Sequence, residues 1–320
     1  MSRFSRGVDR LLEASVVASF SRIGIACRSR VDHWTPPVIP PETEVLLTGA
    51  TSGIGRAAAL ELARRGAVVI GVGRSPSRAR DLELELRRHH PRSQGRVIVS
   101  DVSNLDDVAS LVAQLDSEPA PTVLLHNAGA ITPELTHTAQ GVEITFAAQV
   151  VGPHLLTTLL ARRWSEERPG RVVAMTSGGL YTRPFDLSAL LEPPTPYSGV
   201  ATYARVKRAQ LVWVEALHDL KGLTSAAVHP GWTATAGLRE SLPRFSTVMT
   251  PLLRSASQGA ADLVWLSGCP DIVETPGALW LDRRVRPTHR LSRTRTDAER
   301  DRSVLLTYLH QTISPYLADD

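Results

Sequence analysis

Thr48-Gly49-Ala50-Thr51-Ser52-Gly53-Ile54-Gly55 closes a short apolar run, Glu44–Thr48, and leads into a helical pattern over Ile54–Arg65. Glycines between a strand and a helix let backbone N–H groups approach a phosphate without Cβ obstruction, and the helix adds its positive end. The spacing is Gly-x-x-x-Gly-x-Gly, which differs from the Gly-x-Gly-x-x-Gly of many dinucleotide sites. A glycine loop alone is a weak signal, because tight turns need glycine anyway. Here it opens a long alternation. Strands are expected at Ala67–Val72, Arg96–Ser100, Thr122–His126, Arg171–Thr176, Ser225–His229 and Ala278–Asp282. Between them, helical patterns cover Ser77–His90, Asn104–Asp116, Gln140–Arg163, Thr202–Leu220 and Gln258–Leu266. Strands apolar throughout, separated by amphipathic helices, predict an α/β fold: a Rossmann-like, doubly wound parallel sheet of about seven strands with helices on both faces. Such sheets bind ligands in the crevice at the carboxyl ends of their strands.

At 320 residues and 42% hydrophobic, the chain can bury one large core. Its alternation of apolar runs and turn residues excludes a wholly disordered protein. A net charge of +4 is only a weak pointer to anionic partners. Two cysteines, Cys27 and Cys269, make neither a disulfide framework nor a zinc pattern, so no metal is expected. A cytoplasmic location is the default. No apolar run reaches the roughly 18 residues of a membrane span.

The ends are less regular. Residues 11 to 27 are apolar and follow Arg3, Arg6 and Arg10, which imitates a signal peptide. Glu13, Ser15, Ser19, Ser21 and Arg22 interrupt the run and favour an amphipathic helix, packed on its own domain or a second copy, with a peripheral membrane contact as the sharper alternative. A proline-rich linker follows at His33–Thr43. Near the other end, Arg283, Arg284, Arg286, Arg290, Arg293, Arg295, Arg300 and Arg302 lack interleaved aromatics and are mixed with acids from Asp297 on. That reads as a solvated tail, with no nucleic acid partner, and Leu305–Thr312 as a closing helix. The expected division is an extension and linker over 1–41, a nucleotide-binding domain over 42–285 and a basic tail over 286–320.

Only two of the 36 basic residues are lysines, Lys207 and Lys221. Lys207 stands four after Tyr203 in Ala201-Thr202-Tyr203-Ala204-Arg205-Val206-Lys207, one helical turn along the same face. A cation about 4 Å from a phenol, at an effective dielectric of about 20, contributes about 4 kcal/mol. That is enough to bring a phenol from about 10 to near neutral pH, before desolvation opposes it. Without the glycine turn, an ordinary amphipathic surface would explain the pair equally well. After the second strand, Gly73 is followed by Arg74 where a NAD site expects an acid; an arginine there suits a 2′-phosphate and favours NADP over NAD.

Together, the Thr48–Gly55 turn, Asp101-Val102, Asn127-Ala128-Gly129, Ser177, Tyr203-x-x-x-Lys207 and His229-Pro230-Gly231 resemble the short-chain dehydrogenase/reductase superfamily over roughly residues 42 to 285. Thr176-Ser177-Gly178-Gly179, Ser257-Gln258-Gly259-Ala260, Asp282-Arg283-Arg284 and the apolar extension fit one subgroup of it. The resemblance implies a cofactor site of Thr48, Gly49, Thr51, Ser52, Gly53, Ile54, Gly55, Arg74, Asp101, Val102, Asn127, Ala128, Gly129, Tyr203, Lys207, Pro230, Gly231 and Thr235. Asp101 would contact the adenine ring, Asn127 and Gly129 would support the central strand, and Thr235 would reach the nicotinamide side. Tyr203 would be the acid/base, Lys207 would lower its pKa, and Ser177 would polarise a substrate carbonyl. A homo-oligomer is implied by analogy alone.

Two departures stand out. Ser177 and Tyr203 are 26 positions apart, about twice the common family spacing, and the prolines at 184, 193, 194 and 196 suggest a loop over the site. Gln149 occupies the place of the asparagine that supports a water path to the lysine in the family. It either holds that path with shifted geometry, weakens it, or is a plain helix-face residue. The expected function is an NADP(H)-dependent interconversion of a carbonyl and an alcohol on a small, lipophilic molecule, with a pocket of Leu180, Tyr181, Trp232 and Leu238 and a lid over 232–254. The rival is a weak or inactive NADP(H)-binding sensor or scaffold, favoured by Gln149.

Overall fold

The apolar runs form strands buried on both faces. In β1 (Glu44–Thr48), Leu46 joins the core on one side of the sheet, while Val45 and Leu47 join the core on the other, and all three are fully buried. β2 (Val68–Gly73), β3 (Arg96–Val99), β4 (Val123–His126), β5 (Gly170–Met175), β6 (Leu223–Val228), β7 (Leu279–Trp280) and β8 (Val285–Arg286) complete one sheet in the order β3-β2-β1-β4-β5-β6-β7-β8. All pairings are parallel except β7–β8. This computed structural model describes residues 2–89, 95–116, 120–217, 222–241 and 243–317. The helix ends expected at His90 and Leu220 lie outside the described residues.

The helices, in chain order, are α1 (Arg3–Glu13), α2 (Val16–Phe20), α3 (Arg22–Val31), α4 (Gly53–Arg64), α5 (Pro76–His89), α6 (Leu105–Ala113) and α7 (Ile144–Phe146). A π-helical stretch, Ala147–Val151, joins α7 to α8 (Gly152–Ala161). Then come α9 (Ser188–Leu191), α10 (Gly199–Leu217), α11 (Ala236–Ser241), α12 (Pro243–Met249), α13 (Ala256–Gly268), α14 (Asp271–Glu274) and α15 (Ala298–Ile313). Helices α4, α5 and α13 cover one face of the sheet; α6, α7–α8, α10 and α15 cover the other. The chain reverses its direction of travel across the sheet between β1 and β4, which opens the crevice at their carboxyl ends.

Four expectations change. The helix expected from Gln140 begins at Ile144, where the Glu143 carboxylate accepts from the Thr145 and Phe146 amides; Gly141, at φ +77°, sits in the turn before it. By composition, the stretch Ile144–Ala161 is long and apolar enough to cross a membrane, which the reading of apolar runs missed; 72% of it is buried in the protein core. β8 was not foreseen because its hairpin lacks a glycine. The turn Leu281–Arg284 puts Asp282 (φ +56°) and Arg283 (φ +55°) where tight hairpins usually place Asn-Gly or Asp-Gly. Finally, the arginine run is only partly a solvated tail, since Arg284 and Arg286 are buried.

Those arginines hold the N-terminal extension. Asp282, fully buried, accepts from Arg28 at 2.6 Å and from Arg254 at 2.7 and 2.9 Å. Arg28 also reaches Asp9 and Glu13, both at 2.8 Å. Arg284 pairs with Asp32 at 2.6 Å and Asp9 at 3.0 Å, and Arg286 pairs with Asp9 at 2.9 Å. Against the cost of burial, Arg286 and Arg28 hold the Asp9 carboxyl down to about 2. The extension is therefore packed on its own domain through buried ion pairs, as the first of its two readings held.

Three histidines are buried as neutral rings. Burial lowers His126 and His154 to about 3 and takes His229 well below 6.5. An unfolded histidine titrates near 6.5, so below that pH the unfolded chain binds more protons than the folded one. Their contribution is complete above about pH 6.5 and is lost as pH falls toward the folded values. Each costs about 1.4 kcal/mol per pH unit within that window. Urea denaturation should therefore show a lower midpoint at pH 5 than at pH 7.5, and His154→Gln should flatten the difference; equal midpoints at the two pH values would contradict this.

Candidate active site

The glycine turn is locked to the end of β4. Thr48 Oγ1 accepts from the Asn127 and Ala128 amides, both at 3.1 Å, and Asn127 Nδ2 donates to the Thr48 and Gly49 carbonyls at 3.2 and 3.3 Å. Asn127 therefore ties the turn to the end of β4. Gly49 is at φ +67°, and a Cβ there would lie 2.8 Å from Ala128 Cα. At Gly55 a Cβ would lie 2.1 Å from the Gly49 carbonyl oxygen. Thr51 fills the space over Gly73, and Ile54 packs on the core. Ser52 is the N-cap of the 12-residue α4 but makes no side-chain cap bond, so the first-turn amides are not satisfied by it. Across the mouth of the turn, a Cβ on Gly53 would come 3.6 Å from the Thr235 methyl.

The second cluster forms where β5 ends against α10. Ser177 begins a 3₁₀ turn over Gly178–Tyr181. Gly179 allows that turn to touch α10: a Cβ there would lie 3.3 Å from Ala204 Cα. The Ser177 hydroxyl thereby faces the Tyr203 phenol. Lys207 Nζ lies 5.4 Å from the centre of the Tyr203 ring. It donates to the Met175 carbonyl at 2.5 Å and to Gln210 Oε1 at 2.9 Å. The three expected residues thus come together.

Their electrostatics differ from the expectation. Burial pushes the Tyr203 phenol above its ordinary value, with the Ser177 hydroxyl acting against it, and burial alone lowers Lys207 to about 7. The Coulomb argument gave the ammonium its full charge at neutral pH. In the protein both groups share a desolvated site, and desolvation disfavours the charged form of each.

Gln149 is fully buried: its Nε2 donates to the Ala130 carbonyl at 3.2 Å, and Gly129 leaves room for its side chain. Its backbone carbonyl faces the lysine side and accepts from Gln210 Nε2 at 3.1 Å. Asp101 is used locally: Oδ1 accepts from the Ser103 amide at 3.0 Å and hydroxyl at 2.7 Å, and Oδ2 faces Arg74 at 3.5 Å. Val102 is a core residue. The Pro230 carbonyl accepts from Thr233 Oγ1 at 3.1 Å, and Gly231, at φ +71°, leaves room for the Arg254 guanidinium. Thr235 Oγ1 accepts from the Leu238 amide at 3.1 Å, fixing the start of the expected lid. Leu180 and Tyr181, expected in the pocket, belong to the core instead, and the Tyr181 hydroxyl donates to the Pro287 carbonyl at 3.1 Å. Trp232 remains at the site, with Phe245 at 5.1 Å between ring centres.

Several contributors escaped the sequence reading. The Phe20 ring, from the extension, lies tilted 4.3 Å from His229 and 6.0 Å from Trp232, against the glycine that follows Ser177. Arg254 donates to the carbonyls of Ser19, Phe20 and Ser21 at 3.0 to 3.2 Å. Nothing local in the sequence marks Phe20 or Arg254, because the contacts that join them to each other and Phe20 to His229 and Trp232 span the length of the chain. Gln210 carried a readable signal: it stands three after Lys207, on the same helical face.

Residues 43–186 match the family described as short chain dehydrogenase. Human dehydrogenase/reductase SDR family member 12 is 32% identical over 288 residues, which cover 89% of this chain and 90% of the relative. A protein of Streptomyces sp. (strain C5), DnrU, named for daunorubicin C-13 ketoreduction, is 36% identical over 261 residues, covering 80% and 88%. A crystal structure of an uncharacterised Mycobacterium paratuberculosis protein superposes with a TM-score of 0.67 at 25% identity, covering 88% of this chain and 97% of its own. The chain belongs to the short-chain dehydrogenase/reductase family and is an oxidoreductase.

Proposed function

We propose that the chain is an NADP(H)-dependent oxidoreductase that interconverts a carbonyl and an alcohol on a lipophilic substrate. The observation that carries this reading is the meeting of Ser177, Tyr203 and Lys207 at the end of β5, beside a glycine turn with uncapped helical amides. The residues fit a nicotinamide dinucleotide. The turn keeps Cβ atoms off the backbone, and the first N–H groups of α4 point where a diphosphate would sit. Beside them a cavity of about 490 Å³ is lined by Thr51, Ser52, Arg56, Arg78 and Arg88, which it shares with Asp81, Leu84 and Glu85. The Arg74 side chain, 67% exposed and 3.5 Å from Asp101, stands where it would meet a 2′-phosphate.

When bound, the dinucleotide supplies or accepts the hydride. In reduction Tyr203 gives its phenolic proton to the carbonyl oxygen, and in oxidation it takes the proton back. Ser177 donates a hydrogen bond to that oxygen and favours its developing charge. Lys207 offsets the phenolate left by proton transfer, and its remaining N–H would hold the ribose. Trp232 and Phe245, packed edge to face, would give the substrate side an apolar wall, and the Streptomyces relative is named for ketoreduction. The rival of an inactive scaffold rested on the Gln149 side chain, which is turned toward Ala130.

NADPH consumption over a panel of aldehydes, ketones, steroids and retinoids tests the reading. Tyr203→Phe should lower kcat/KM by about 10²- to 10⁴-fold, the range for general acid catalysis; turnover unchanged by that substitution would remove Tyr203 as proton donor. Arg74→Glu should raise the KM for NADPH about ten- to a hundredfold, the loss of a charged hydrogen bond, with little change for NADH. Equal effects on the two would separate Arg74 from the 2′-phosphate.

We also infer a peripheral membrane contact for α1. Phe4 is 71% and Leu11 77% exposed, seven positions apart on one helical face, in a segment that carries Arg3, Arg6 and Arg10. A Phe4→Ser, Leu11→Ser double variant should lose co-sedimentation with anionic vesicles; wild-type protein that stays in the supernatant would rule the contact out.

A further inference from the structure

Lys207 is 2% exposed, so its ammonium is stabilised by protein atoms. Two of its three N–H directions are taken, by the Met175 carbonyl and by Gln210 Oε1. Gln210 is fully buried, and its Nε2 donates to the Gln149 carbonyl at 3.1 Å. That carbonyl is available for a reason written in the sequence. Its α-helical partner would be the amide of residue 153, and residue 153 is proline, which has none. The helix is π-wound just there, over Ala147–Val151, with the Gly152 amide on the Ala147 carbonyl. The Gln210 amide is thus gripped at both ends. Its orientation is forced, because an ammonium only donates and a backbone carbonyl only accepts.

We propose that Gln210 is the positioning residue of Lys207: its side-chain amide, locked between the ammonium and the Gln149 carbonyl, keeps the lysine charged and aimed at Tyr203 and closes the inner side of the site to solvent. The catalytic consequence rests on the function proposed above; the electrostatic one rests on these contacts alone. An amide oxygen on a buried ammonium favours its charged form, which burial otherwise disfavours. Other groups do not do this work. Titratable side chains on the elements packed against α10 are engaged elsewhere: Tyr181 with the Pro287 carbonyl, Glu143 with the Phe146 amide, His154 with Trp213 and His229 with the Gly231 amide, while on α15 Asp301 and Arg302 act on Arg208 and Glu215, Tyr308 stacks on Phe146 and His310 lies beside His154. Burial lowers Lys207 to about 7, and the amide oxygen of Gln210 acts against that burial. The role of Gln149 follows as well, for its backbone carbonyl anchors the chain of contacts while its side chain faces Ala130.

The experiment uses the chain's lack of lysine. With Lys221→Arg as background, Lys207 is the single lysine, and its titration can be followed by NMR of ¹³C-labelled side chain in the full-length protein. Gln210→Leu should move that titration down by at least about one pH unit, and Gln210→Glu should move it up by at least about one, since a nearby charge shifts a buried group by that much or more. Gln210→Asn, which keeps the amide one methylene short, should fall between wild type and the leucine variant. The alkaline limb of kcat/KM should move in the same order. A Lys207 titration unchanged in both the leucine and the glutamate variants overturns the proposal, because a residue that only fills space would not shift it in opposite directions. Should the leucine variant fail to fold, the glutamate and asparagine variants decide. Absence of turnover in the wild type would count against the proposed function, while the NMR titration would still decide the role of Gln210.

Discussion

An ammonium taken out of water is the constraint around which this site is built. Among the described residues Lys207 has no carboxylate to pair with, and burial lowers it to about 7. What holds it is a set of fixed dipoles: the last carbonyl of β5 and an amide three residues along its own helix. For both to reach it, α10 must lie close against the end of β5, and the helix opposite must offer the Gln149 carbonyl, whose i+4 donor is lost at Pro153. The same closeness brings Tyr203 to Ser177, through the one-atom clearance at Gly179. Arginine, common everywhere else in this chain, could not replace it: a broad planar fork does not fit a point contact between one carbonyl and one amide.

A second buried charge organises the rim. Asp282 sits between Arg28 and Arg254, joining the extension, the end of the loop after β6 and the β7–β8 hairpin in one contact. Two consecutive non-glycine residues at positive φ are costly. The ion pairs hold Asp282 in place, while Arg283 stacks its guanidinium 4.5 Å from the Trp34 ring. Breaking such a pair leaves an uncompensated buried charge, so its value lies in defining one arrangement more than in raw stability. One consequence is that the N-terminal extension belongs to the wall of the site, with Phe20 packed between His229 and Trp232.

Much of this was legible. Strand and helix positions followed from apolar runs and their period, because a parallel sheet covered on both faces must be apolar along its whole length. The Thr48–Gly55 turn announced itself through its glycines, of which Gly49 and Gly55 admit no Cβ without meeting backbone. Tyr203 and Lys207 were visible as a spacing. The fate of the Gln149 side chain was not, since nothing in a single sequence says which way a buried amide turns. The eighth strand was hidden because its turn is held by distant arginines instead of by local turn chemistry. The arginine run looked solvated because its acidic partners lie at the opposite end of the chain.

By itself, then, the sequence determined what is local or periodic: the layered α/β architecture, the phosphate-type turn, and the pairing of a phenol and an amine one helical turn apart. Tertiary structure alone decided which charges are buried and what they meet. Desolvation depends on atoms supplied by many segments at once, so the lowered lysine, the raised phenol and the Arg28–Asp282–Arg254 contact exist only in the folded chain. Hydrophobic period is a property of neighbours, whereas the environment of a charge is a property of the whole.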